Sequence, residues 1–235
     1  MHLQIKVVIN KTAKYAIKES GDSAEVVERP KGGITALIAD GQGTGQAAKM
    51  ISNLVVSKAS ALITDGARDG AVARAAHDFL FAQRGGKVSA TLTMVSADLV
   101  SNTLVISRNS NCPVLLRRQG RIEVLSDTVQ PIGFHHYMKP IIYEHPLEAG
   151  MLLVAFTDGI YHAGRKYGRK FELDDLKAKM LQADTDKIKP LADEILAEAM
   201  ALDENRPADD MTLLILSVGE GENDKIRRLQ LTYPI

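Results

Sequence analysis

The chain has 235 residues, and its 29 lysines and arginines are balanced by 29 aspartates and glutamates, which leaves no net field to gather nucleic acid or an anionic membrane surface. A chain of this length hides roughly 70–75% of its unfolded surface, so one continuous domain over 1–235 is expected, with no need of a structural metal or disulfide. The single cysteine, Cys112, cannot form an internal disulfide, and no basic-then-apolar leader or membrane-length apolar run is present, so a cytoplasmic protein is expected.

Residues 3–8 alternate imperfectly between apolar and polar, and Tyr15-Ala-Ile-Lys18 reads as a second short strand. After the turn-like Glu19-Ser-Gly-Asp-Ser23, residues 24–28 form a further extended piece, and Arg29-Pro-Lys-Gly-Gly33 makes a hairpin into the apolar run Ile34–Ala39. That run ends at Asp40-Gly41-Gln42-Gly43-Thr44-Gly45, a carboxylate followed by glycines. Ala48, Ile51, Val55, Ala59 and Leu62 then recur at helical steps, with Thr44 as a possible cap. A second helix runs through Val72–Leu80 and stops before Gly85-Gly86. Asp65-Gly66 and Asp69-Gly70 are expected in the loop between these helices, as ordinary turn dipeptides with no apolar strand before them.

From Lys87 to Pro146 short strands follow one another at 90–97, 103–107, 114–117, 121–125 and 141–145, and read as an antiparallel meander. Met151–Phe156 is another fully apolar run, again delivering an acid and a glycine, Asp158-Gly159. Helices are expected at 171–181 and 188–200. Asp209-Asp210 then lead into the apolar strand 211–216, the polar stretch 219–224 reads as a loop, and 226–233 reads as a final edge strand. Strand runs separated from helix pairs predict an α+β fold: two antiparallel sheets face to face, helical hairpins outside, and the acidic strand ends meeting at one rim.

Aspartates at strand ends, without histidine or cysteine at ligand spacing, make a hard oxygen site suited to magnesium or manganese rather than zinc. Converging carboxylates repel one another, and two divalent cations would relieve that conflict. Such a pair supports in-line hydrolysis of a phosphoester without a protein nucleophile. The sequence also lacks a phosphate-loop lysine motif, a Gly-x-Ser-x-Gly elbow and a cysteine nucleophile signature.

Four ordered motifs carry a resemblance: Ser20-Gly-Asp-Ser23, Ala39-Asp-Gly-Gln-Gly-Thr-Gly45, Phe156-Thr-Asp-Gly159 and Ala208-Asp-Asp-Met-Thr212. Together they resemble the metal-dependent protein serine/threonine phosphatases (PPM), and more narrowly their bacterial SpoIIE-like branch, across about 19–218. The resemblance implies a four-layer αββα sandwich with two Mn2+ or Mg2+ ions. It also implies that Asp40 bridges both metals, Gly41 offers its carbonyl, Asp158 and Asp209 complete the set, and Asp22 touches a metal or its water. Asp40, Asp158 and Asp209 would be catalytic, with Asp210 fixing the turn. Many eukaryotic relatives have a histidine where this chain has Gln42, whose amide cannot protonate a leaving group; metal-bound water or another group would then have to do so, with His162 among the candidates.

Ser-Gly-Asp-Ser at the first acid is similar to the feedback phosphatases of the bacterial stressosome. That likeness implies a phosphorylated signalling protein as partner, a STAS-domain stressosome subunit in the general stress response, with neither nucleic acid nor membrane involved. A non-catalytic phosphoprotein-binding regulator and a two-metal hydrolase of small phosphoesters stand as alternatives.

Overall fold

The computed structural model describes residues 3–221 and 226–233. In chain order the elements are β1 (Leu3–Thr12), β2 (Asp22–Glu28), β3 (Gly33–Gly41), α1 (Gly45–Thr64), α2 (Asp69–Arg84), β4 (Ala90–Asp98), β5 (Thr103–Arg108), β6 (Val114–Arg118) and β7 (Arg121–Leu125). They continue with β8 (Ile141–Pro146), β9 (Met151–Phe156), α3 (Asp158–Tyr161), α4 (Leu173–Gln182), α5 (Ile188–Leu202) and β10 (Met211–Glu220).

The strands form two five-stranded antiparallel sheets, ordered β1-β10-β9-β6-β7 and β2-β3-β4-β5-β8. Period-two alternation decides where each strand's side chains go. Ala36 and Ile38 of β3 meet Leu153 and Ala155 of β9 and Leu214 and Leu216 of β10 in the core between the sheets. Leu37 and Ala39 face the other way, onto Val55, Ala59 and Ile63 of α1 and Val72, Ala76 and Leu80 of α2. Leu152, Val154, Leu213 and Ile215 pack outward against Leu176 and Met180 of α4 and Leu191 and Ile195 of α5. Three apolar interfaces therefore stack four layers, α-β-β-α, as the sequence pattern predicts. Each fully buried leucine or isoleucine in these interfaces adds roughly 1.5–3 kcal/mol.

Several local expectations are corrected. Residues 15–18 form a turn, not a strand: Ala16 adopts a left-handed φ of 65°, and the Tyr15 N–H donates to Pro207 O at 2.9 Å. Asp69 and Gly70 are not in the interhelical loop but open α2, and Asp69 is buried. The strands between 90 and 146 are no single meander, since β4, β5 and β8 belong to one sheet while β6 and β7 pair in the other. Residues 226–233 form no strand and are exposed, and β10 continues through Gly219 and Glu220, where a loop was expected. The remainder of that expected loop, 222–224, lies outside the described residues. Thr44 occupies the cap position of α1 in an extended conformation but makes no side-chain capping bond.

Candidate functional site

Alternation along β3 fixes where its terminal acid points. Ala36 and Ile38 face the inter-sheet core, so Asp40 does too, whereas Gly41 faces α1. Asp22 lies directly opposite Asp40 in the β2–β3 pairing and shares its face. On the other sheet the same alternation brings Thr212 of β10, and Thr157 just after β9, into the gap. The segments meet there: Asp22 Oδ2 accepts from Thr157 Oγ1 at 2.8 Å and from Thr212 Oγ1 at 2.6 Å. Ends of both sheets are thus joined around one buried carboxylate.

Close backbone packing holds these ends in place. A Cβ at Gly41 would sit 2.2 Å from Ala48 O in α1, and one at Gly21 would sit 2.6 Å from Ala48 Cβ. One at Gly159 would sit 2.1 Å from Asp210 O. Contact with α1 therefore requires glycine at 41, a reason independent of any ligand. Ser52 of α1 adds a hydrogen bond to Gly21 O at 2.5 Å.

The acids divide by how they are satisfied. Asp210 is fully engaged, with Oδ1 accepting from the Lys14 N–H and Oδ2 from the Gly21 N–H, both at 2.9 Å. Asp209, beside it, is half-buried and, among the described residues, accepts only from the Asp210 N–H at 3.0 Å. Asp158 opens α3, and burial and then Asp209 push its carboxyl up, opposed by His162 and backbone N–H groups. Asp40 is pushed up to about 9, first by burial and then by Asp22, Asp158, Asp209 and Asp210. Burial raises Asp22 to about 7 against the opposing effect of the two threonine hydroxyls, and among the described residues its Oδ1 finds no partner.

Cations nearby do not neutralise these carboxylates. Lys49 Nζ donates to Asp22 O at 2.7 Å and Ser23 Oγ at 3.0 Å, and Lys11 Nζ reaches the same Asp22 carbonyl at 3.4 Å. Burial and the adjacent Lys11 bring Lys49 down to about 8. Sequence reasoning missed this pair and gave no role to Thr157 or Thr212, although both threonines stood inside the quoted motifs.

Repelling carboxylates, an unpartnered buried oxygen and an all-oxygen donor set suit hard divalent cations. Among the described residues no three His, Cys, Asp or Glu side chains are already drawn together tightly enough to hold one ion. The donor chemistry and the electrostatics fit a metal even so.

A cavity of about 320 Å3 opens beside Asp40 and Asp158. His162 lines it, with its Nδ1 buried and unpartnered among the described residues. Gln42 also lines it, and its Oε1 is held by the Ser89 N–H at 2.9 Å. Cys112 forms part of the wall, and burial pushes its thiol up to about 12, so it is not a poised nucleophile.

Residues 30–219 match the sequence profile of the stage II sporulation protein E (SpoIIE) family. The chain belongs to the SpoIIE family. It is 24% identical over 199 residues to stage II sporulation protein E of Bacillus subtilis (strain 168), covering 85% of this chain and 24% of that protein. It therefore spans about a quarter of that curated relative. The PP2C phosphatase domain of B. subtilis SpoIIE, solved with a fragment of its regulatory domain, superposes with a TM-score of 0.78 at 23% identity, over 91% of this chain and 63% of that one. The catalytic domain of the serine/threonine protein phosphatase PstP, in complex with two manganese ions, matches with a TM-score of 0.72 at 18% identity, over 93% and 100% of the two chains. A structure from work on the bacterial stressosome matches with a TM-score of 0.65 at 17% identity, over 91% and 99%. These likenesses establish the PP2C-type fold for this SpoIIE-family chain.

Proposed function

We propose that the chain, as one domain over 1–235, is a metal-dependent protein serine/threonine phosphatase. The observation that carries this reading is the facing pair of buried Asp22 and half-buried Asp40 in the inter-sheet gap, with Asp158 and Asp209 near enough to raise Asp40 further. Asp22, Asp40, Gly41, Asp158 and Asp209 would hold two Mn2+ or Mg2+ ions, a reading supported by the two manganese ions of PstP. Bound there, the ions would supply electrostatic stabilisation of a phosphoryl group and an activated water.

The chain's own groups have separate tasks. Thr157 and Thr212 keep Asp22 oriented through Oδ2, leaving Oδ1 as its free donor. Asp210 fixes the turn that presents Asp209, because both of its oxygens bind backbone N–H groups. His162, on the cavity wall beside Asp158, is the group we assign to protonate the departing serine or threonine oxygen. Gln42 clamps the loop at Ser89 and transfers no proton.

The substrate in this reading is a phosphorylated bacterial signalling protein, specifically a STAS-domain stressosome subunit, and the setting is the cytoplasm. Support comes from the stressosome neighbour, from the balanced charge, and from the absence among the described residues of any helix long and apolar enough to cross a membrane. Phosphate release from a phosphoserine protein, with and without Mn2+, tests the activity. Native chain should turn over only with Mn2+, and Asp40→Asn and Asp158→Asn should lose at least about a hundredfold in kcat. Equal activity in all three would refute the site; phosphoprotein binding without turnover would favour a non-catalytic regulator.

A further inference from the structure

One side of the cavity beside Asp40 and Asp158 is built from two segments, 109–112 between β5 and β6, and the stretch 126–131 after β7, which contributes Val129 and Pro131. Behind them sits Arg108, the last residue of β5 and wholly enclosed. Its hydrogen bonds all run to neutral oxygens. Nη2 donates to Ser110 O at 2.8 Å and Cys112 O at 3.1 Å, and Nη1 to Asp127 O and Tyr143 Oη, each at 3.4 Å. Tyr143 Oη in turn donates to Asp127 Oδ2. Both wall segments therefore hang from one guanidinium.

The side chains in front of Arg108 add to the fastening. Asn109 Nδ2 donates to Gln130 O at 3.0 Å, and Asn111 Oδ1 accepts from the Val129 N–H at 3.0 Å. Stripping a cation of water costs several kcal/mol, and carbonyl acceptors recover less of that than a carboxylate does. An apolar side chain of similar length would fill the same volume but leave the Ser110, Cys112 and Asp127 carbonyls without this donor. The arginine thus satisfies these carbonyls and, in doing so, holds two wall segments in register.

Among the described residues, neither lysine nor arginine lines this cavity. Away from Asp40, Asp158 and His162 its wall offers Asn109, Ser110, Asn111, Val129, Pro131 and Tyr161, neutral polar and apolar groups suited to contact polypeptide. We propose that Arg108 is a positioning residue, acting through the Ser110, Cys112 and Asp127 carbonyls it holds, for a wall that receives the polypeptide flanking the phosphorylated residue. It thereby sets the preference for a phosphoprotein over a small phosphoester. This rests on the phosphatase reading above.

The test compares kcat/KM for a phosphoserine protein and for p-nitrophenyl phosphate in Mn2+, using native chain, Arg108→Met, Arg108→Lys and Asn111→Ala. The protein-to-ester ratio should fall about tenfold in Arg108→Met, mainly through a higher KM for the protein. Arg108→Lys should recover part of that loss, and Asn111→Ala, an exposed position, should lower the ratio about threefold without threatening the fold. Equal losses on both substrates, or an unchanged ratio in Asn111→Ala, overturn the proposal while leaving the phosphatase reading intact. A native chain inert toward both substrates overturns the phosphatase reading, and this inference falls with it.

Discussion

Strand β3 has a buried acid neighbourhood at each end, and the two are built in opposite ways. Near its start, Arg29 sits 3.4 Å from Asp69 and 3.6 Å from Asp98, and also donates to Thr35 Oγ1, Ser96 Oγ and Ala67 O. Ser96 donates to the other oxygen of Asp69. Five residues on, about 17 Å along the strand, Asp40 faces Asp22, and among the described residues no cation is paired to either carboxylate. The first cluster gives its buried acid an arginine and a serine hydroxyl; the second gives its acids no cation. A protein that can neutralise a buried acid with arginine at one end of a strand, and does not at the other, keeps the second for something that arrives from solution.

The contrast can be broken from either side. Arg29→Met should be the most damaging change, costing about 3–5 kcal/mol in urea or thermal unfolding, because it strands Asp69 in the interior. Asp40→Asn should act in the opposite sense and stabilise the cation-free chain by about 1–3 kcal/mol, since it removes a repelled carboxylate while ending turnover. A destabilised Asp40→Asn would show that the acid end is compensated after all.

pH sharpens the same point. Asp22 and Asp40 have folded values of about 7 and about 9 against an ordinary 3.8, so the folded state binds more protons than the unfolded one. Their contribution to stability is full below about pH 4 and is lost as pH rises through 7 and then 9. Unfolding free energy in EDTA should therefore decline across that window, and Mn2+ or Asp40→Asn should flatten the decline. The smallest expected effect is Ser52→Ala, about 1 kcal/mol, from loss of the bond that ties Gly21 to α1.

The layers and the four motifs were legible because each rests on local pattern. Apolar alternation marks β3, β9 and β10, three- and four-residue steps mark α1, and acids at strand ends mark the rim. What was not legible depends on pairing across the chain. Asp69 read as a turn residue because nothing local announces that Arg29, forty positions earlier, lies over it. Nothing local marks Arg108, because only the folded chain brings Asp127 and Tyr143 to it. Tyr15–Lys18 has strand-like composition, but the turn it makes is set by its contact with Pro207. Residues 226–233 alternate as a strand should, without a sheet edge paired to them in the described structure.

Calorimetric titration of Mn2+ into the native chain and Asp40→Asn near pH 8 tests the central claim most directly. The account predicts two ions bound to the native chain, with protons released, and loss of that binding in Asp40→Asn. Equal binding by both, or none by the native chain, would contradict it.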